Sequence, residues 1–398
     1  MPIKLNGSTS GYTQVNAAAV AANNTLVLPT TGTTLLSDTF TGNVALTGNA
    51  TITGNETVSG NVTVSGDLIP SSSFLRNRII NGNMVIDQRN AGAQITAANL
   101  TSGTYMVDRW FYQASQAAKF TAQQNAGAVT TAVGFPNYLG MTVATAVTVG
   151  ASDYFCFSQC IEGFNFADFG FGTASAKTVT ISFVVYSSLT GTFGAVLKNN
   201  TGTRSYPFTY SIPTANTWTT ISVTVAGDTS GTWVGATNGI GAILQFGLGV
   251  GTTYSGTAGA WSATNYVSAT GAVSVVGTAS ATFYITGVQL EVGSNATPFE
   301  RRQYGEELLL CQRYYETGYN IWSGYTNGSS NYYFSTIYKV TKRTAATLSF
   351  SGTIGSGFPS TSPTVGLTDT QQFRADPTSN GVSTAGYYQF NYAASAEL

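Results

Sequence analysis

The sequence predicts an all-β protein, and three observations carry that prediction. Charged residues make up only 8% of the 398 positions, against roughly 25% in ordinary soluble domains. The surface must therefore be built from Thr, Ser, Asn, Gln and Gly. The chain also holds 45 Gly, 22 Tyr and 22 Phe alongside many Val and Thr, which is the residue usage of turn-punctuated strands rather than helices. Finally, residues 42–67 repeat every six positions, at Gly42-Asn43, Gly48-Asn49, Gly54-Asn55, Gly60-Asn61 and Gly66-Asp67.

In that repeat Leu46, Ile52, Val58 and Val64 stand four places after a Gly, with hydroxyl residues between. Apolar and polar side chains thus alternate as in a strand, and each strand breaks at a Gly-Asn corner where a positive φ is cheap. A single-chain β-helix needs roughly three such units per turn, so the repeat amounts to about one and a half turns and buries no core alone. Three copies around one axis would close its edges, which predicts a short trimeric β-helical shaft over 42–70. The same composition would also serve a flexible polar linker.

The other elements follow in order. Residues 1–41 are poor in core-forming side chains and read as an anchoring segment that orders against a partner. From 71 to 300, short apolar alternations (84–86, 178–186, 218–225, 240–248 and 282–292) are separated by turn clusters at 199–202 and 227–231. One β-sandwich of jelly-roll type is the most economical assembly. The Gly-rich, aromatic stretch 249–271 reads as surface loops at the sandwich rim. Within a connecting segment at 301–316, Tyr304, Leu308, Cys311 and Tyr315 follow helical spacing and predict one helix over 303–316. Residues 317–398 return to strand-and-turn composition and read as a small C-terminal β tip.

Composition also bounds the chemistry. Lys plus Arg is 16 against 17 for Asp plus Glu, and no basic run offers a phosphate-binding surface, so nucleic acid is not an expected partner. No stretch approaches the ~18 apolar residues of a membrane span, and none of signal-peptide length follows the start. With no His in the chain, a zinc site has almost no ligands available and the usual general base is missing. Cys156 and Cys160 fall in one strand about 13 Å apart, beyond disulfide reach, and are expected as free thiols. Asp87, Asp108 and Glu291 lack calcium-loop spacing, and neither metal nor cofactor is predicted. No pair of acids stands out as catalytic.

Four blocks carry a family resemblance: NRIINGNMVIDQR at 77–89, VDRW at 107–110, FYITGVQLEVGSNATPFERR at 283–302 and LCQRYYE at 310–316. Together they resemble the signature blocks of bacteriophage tail-fibre and related virion-appendage proteins, which carry a jelly-roll domain similar to carbohydrate-binding modules. The short repeat and few acids lead us to expect no enzymatic activity, and the resemblance implies a homotrimeric fibre on the virion exterior. It would be joined through its amino-terminal part to tail or baseplate proteins and would attach the particle to host surface polysaccharide or lipopolysaccharide. A capsid fibre or decoration protein without a receptor is the alternative, and a polysaccharide depolymerase a further one. Within the blocks, Gln289, Leu290 and Glu291 read as a core strand; Trp110, and Trp218 outside them, each stand in a β-like alternation and read as packing residues.

Sugar contact demands flat aromatics among neutral hydrogen-bonding groups. Two regions meet that demand: Tyr254, Trp261 and Tyr266 in the 249–271 stretch, and Trp322, Tyr325, Tyr332 and Tyr333 among Asn320, Asn327 and Asn331 in the tip. Some of these rings are expected to fill β interior instead. Light scattering on the purified chain should give about three times 41.5 kDa; a monodisperse monomer would end the shaft argument.

Overall fold

The computed structural model describes residues 3–6, 12–15, 76–97, 104–358, 361–381 and 383–398, and it divides into two compact units, Met1–Ile69 and Pro70–Leu398. In the first unit Ile3–Asn6 and Tyr12–Val15 pair as an antiparallel hairpin, Ile3 opposite Val15. The rest of the anchoring segment and the hexad shaft over 42–70 lie outside the described residues.

Strands dominate the second unit, and one α-helix occurs among the described residues. Two six-stranded antiparallel sheets face each other as a jelly-roll sandwich. The first runs Ser205–Ile212, Gly191–Lys198, Ile240–Val250, Tyr154–Glu162, Trp110–Ala114 and Thr104–Val107. The second runs Thr219–Val225, Val179–Ser187, Thr282–Val292, Leu139–Val143, Phe120–Gln124 and Ile95–Thr96. Alternation decides which side chains meet between them. Tyr112, Phe157 and Phe246 from the first sheet meet Ile181, Phe183, Phe283 and Leu290 from the second, all fully enclosed. Phe157 stacks on Phe246 with ring centroids 5.0 Å apart, and Trp110 packs against both. Gln289, Leu290 and Glu291 lie in the Thr282–Val292 strand near the middle of the second sheet, buried as the sequence suggested.

Two expectations need correction. The helix is Tyr304–Gln312, ending short of residue 316. Tyr315 already begins a strand, Tyr315–Tyr325, whose full length pairs with Ala385–Ser395, so Tyr315 leaves the helical stripe. The helix docks through Leu308 and Cys311 onto Ile80, Ile86 and Tyr314. The 249–271 stretch does not sit at the rim. It folds over the outer face of the first sheet, forming a short parallel pair, Ser255–Gly256 with Ser268–Ala269. Glycine permits that approach: a Cβ on Gly194 would lie 2.3 Å, and one on Gly247 2.6 Å, from the Ser268 hydroxyl.

After the helix come two three-stranded sheets. Tyr315–Tyr325, Ala385–Ser395 and Thr347–Ser356 form one; Phe334–Ile337, Gln372–Asp376 and Thr364–Thr368 form the other. Phe334, Phe358, Phe373, Tyr388 and Phe390 fill the space between them. All three cysteines are free and buried.

A buried polar junction ties these sheets to the sandwich. Arg109, at the tight turn between Thr104–Val107 and Trp110–Ala114, takes a left-handed φ of 71°. Such a backbone costs a non-glycine residue roughly 1–2 kcal/mol. The conformation aims its guanidinium at the Glu397 carboxylate, at the Cys160 carbonyl (2.6 Å) and over the Tyr314 ring (3.6 Å). Arg89 reaches the other Glu397 oxygen at 2.9 Å. Burial works most strongly against the Arg109 charge, but Glu397 acting together with Tyr314, Tyr105 and Cys160 more than offsets it, and the guanidinium pKa is raised. Beside it Glu162 accepts from Arg313 (2.6 and 2.9 Å) and from the Tyr314 hydroxyl, and Arg343 holds the Ala396 and Glu397 carbonyls at 2.9 and 2.7 Å.

Removing one partner of such a pair strands the other in a dry site, at a cost of about 3–5 kcal/mol. Glu397→Leu and Arg109→Met should each lose about that much in urea unfolding, while the double substitution loses clearly less than their sum. Additive losses would mean that the two side chains do not act as a pair.

Candidate functional site

The outer face of the first sheet carries a half-open polar cavity. Strand register sets its floor. Gln113 lies opposite Cys156, and Gln245 opposite Ser158 and Val196. Alternation therefore places Gln113, Tyr154, Gln245 and Lys198 on one side, away from the core. The folded-over 249–271 stretch supplies the roof through Tyr254, Asn265 and Val267, enclosing a volume of about 200 Å³. Backbone bonds hold that roof: Val267 donates to the Tyr254 carbonyl at 2.8 Å, Thr253 to Ala151 at 3.0 Å, and the Ser205 hydroxyl to Thr264 at 2.6 Å.

The polar groups in this cavity are incompletely used. Gln245, 1% exposed, spends its amide nitrogen on Gln113 Oε1 at 3.0 Å and on Cys156 Sγ at 2.9 Å. Among the described residues its Oε1 accepts no hydrogen bond, although buried acceptors are rarely left unpaired. Lys198, 8% exposed, has one partner, Asn265 Oδ1 at 3.1 Å. Burial pulls its ammonium below the ordinary lysine range. The neighbouring Cys156 thiol offers no counter-charge, because burial pushes its pKa up to about 12. Tyr154 and Tyr254 meet edge to face at 5.5 Å and give the cavity an aromatic corner.

Of the side chains singled out from the sequence, Tyr254 lines this cavity. Trp261 packs edge-on against Phe171 and Trp233 and donates to the Ala226 carbonyl at 2.8 Å. Tyr266 lies over Gly256. In the tip, Trp322 packs on Tyr332, Phe334 and Phe358, and the Tyr332 hydroxyl accepts from the Asn327 amide at 2.8 Å. Tyr325 and Tyr333 are 67% and 60% exposed, with Arg374 over the Tyr333 ring at 4.6 Å. Trp110 is core, whereas Trp218 is half-buried on the outer face of the second sheet against Tyr138 and Tyr186. The three carboxylates weighed for calcium are engaged separately. Asp87 caps the Asn90 and Gly92 amides, Asp108 takes both nitrogens of Gln88, and Glu291 binds Thr297.

Sequence reasoning passed over Lys198, Gln245, Gln113, Tyr154 and Asn265. One signal was present: Gln245 is the sole polar side chain in the strand IGAILQFGLGV. A lone amide there must either find partners within the fold or face a ligand.

A larger open groove, about 440 Å³, lies where Gln88, Arg89 and Tyr315 meet Tyr319, Ser349, Ser351 and Asn391. Arg89 is committed to Glu397 and to the Tyr315 ring (3.5 Å).

No family model and no curated protein matches the chain. Solved structures similar to it include the enzymatically active domain of bacteriophage CBA120 tailspike protein 4, at 12% identity and TM-score 0.30. That match covers 54% of this chain and 21% of the tailspike domain. The family 11 carbohydrate-binding module from Clostridium thermocellum, in complex with a beta-1,3-1,4-mixed-linked tetrasaccharide, is 14% identical with TM-score 0.26, covering 52% of this chain and 99% of the module. The N-terminal cellulose-binding domain from Cellulomonas fimi beta-1,4-glucanase C is 15% identical with TM-score 0.23, covering 45% and 91%.

The tip aromatics divide by burial. Trp322→Ala should cost about 2–4 kcal/mol in urea unfolding through the emptied contact with Phe358 and Tyr332, whereas Tyr325→Ala should cost less than about 1 kcal/mol. Equal losses would contradict that division.

Proposed function

We propose that the chain is a glycan-binding subunit of a bacteriophage fibre that attaches the particle to a cell-surface polysaccharide or lipopolysaccharide. The observation that carries the reading is the cavity on the outer face of the first sheet. Two tyrosine rings stand beside three amide side chains, and the Gln245 carbonyl oxygen is buried without a donor. Sugars present CH faces and hydroxyls together. The exposed ring surfaces of such a corner take the first, and an unpaired acceptor takes the second.

The phage-fibre part of the proposal is supported by the four blocks at 77–89, 107–110, 283–302 and 310–316, and the trimer by the six-residue repeat. Three copies on one axis would turn weak single sites into avidity. The anchoring role goes to residues 1–41. Binding without turnover is the form proposed, since glycoside hydrolysis ordinarily uses two carboxyl groups and the cavity lining contains none.

The test is binding of the full chain to immobilised surface polysaccharides from the host. Tyr254→Ala, on the roof of the cavity, should weaken binding about tenfold, the equivalent of one lost ring contact, and leave the melting temperature within about 2 °C. Unchanged binding would remove this cavity from the proposal.

A further inference from the structure

We infer that the sugar seated in this cavity carries an anionic substituent, a carboxylate or a phosphate, whose charge is met by Lys198. The inference rests on the glycan-binding reading above and adds the class of glycan. A Lys is seldom buried without a carboxylate partner. Lys198 belongs to the Gly191–Lys198 strand, and its ammonium stands in the cavity with one of three possible hydrogen bonds made, to Asn265 at 3.1 Å. No ion pair includes it among the described residues. The neighbouring Cys156 is a neutral thiol, for the burial reason given above. Among the described residues the other cations this deeply buried have an acid beside them: Lys342 has Glu316 at 2.7 Å and Arg109 has Glu397. The exception falls in a cavity that also holds an unpaired acceptor.

The groups fit one anionic sugar ring. The ammonium takes the acid oxygen, Gln245 Oε1 accepts a ring hydroxyl, and the Tyr154–Tyr254 corner receives a CH face. About 200 Å³ is below the roughly 300–1,000 Å³ of drug-sized sites, which suits one residue of a polymer entering at the open side by Asn265. A neutral sugar would satisfy Gln245 and leave the ammonium uncompensated.

Calorimetric titration of the full chain with glucose, glucuronate and glucose 6-phosphate tests this, in the wild type and in Lys198→Met. Glucuronate or glucose 6-phosphate should bind at least about tenfold more tightly than glucose, and whichever does so identifies the acid group. Lys198→Met should bring both anions down to the glucose level. Its melting temperature without ligand should rise by a few degrees, because an uncompensated buried charge has been removed. If Lys198→Met folds poorly, Lys198→Gln serves in the same titrations. Glucose binding as tightly as the acids, or an acid preference that survives both substitutions, overturns the inference while leaving a neutral-glycan site. If none of the three sugars binds the wild type, the cavity is not a sugar site and both readings fall.

Discussion

The relation between the sandwich, the helix and the sheets that follow depends on one buried ion pair, Arg109 with Glu397. Its strength is not the main point, since a buried salt bridge commonly only repays its own desolvation. Its value lies in how narrowly it is satisfied. Arg109 must adopt a left-handed turn, lie over Tyr314, and reach a carboxylate that Arg89 and Arg343 place from two other segments. Few alternative dockings would leave those charges paired. Apolar contact between the same surfaces would be far more tolerant of sliding.

The blocks that made the sequence resemble a fibre family converge on this junction. Asn77 is bonded to Val288, Leu290 and Glu300, and Arg302 reaches back to Ile79. Asn81 receives the Trp110 indole and bonds the Asp108 carbonyl, while Gln88 spans Asp108 and Tyr315. Gly82 sits where a Cβ would meet the Val288 carbonyl at 2.2 Å. Those residues are architectural. They hold an entry segment against the last long strand of the second sheet, and the cavity is built from other parts of the chain.

That separation explains what could be read from the residues. Strand content, the sandwich and the buried thiols follow from alternation and composition, which act locally. The helix ran long on paper because its apolar stripe continues into Tyr315, and nothing local says that residues seventy places later will claim that segment as a strand. Trp261 and Trp322 looked like ligand platforms because their neighbours are polar, yet both pack on rings distant in sequence. Lys198 was invisible for a related reason, and Gln245 showed only as a lone amide in an apolar strand. They occupy outward positions of strands, where polar residues are ordinary, and only the fold of 249–271 over that face turns them into the floor of a cavity.

The distance along the chain between the two halves of the junction has a consequence for synthesis. Arg109 and Glu397 are 288 residues apart, and at ribosomal rates of about 5–20 residues per second the carboxylate follows the guanidinium by roughly 15–60 s. During that interval a nascent sandwich holds Arg109 and Glu162 at an open end, still hydrated and without their partners. The sandwich can collapse early, but its polar end closes only when the Ala385–Ser395 strand has left the ribosome and paired with Tyr315–Tyr325. Until then the charge of Arg109 keeps that end wet.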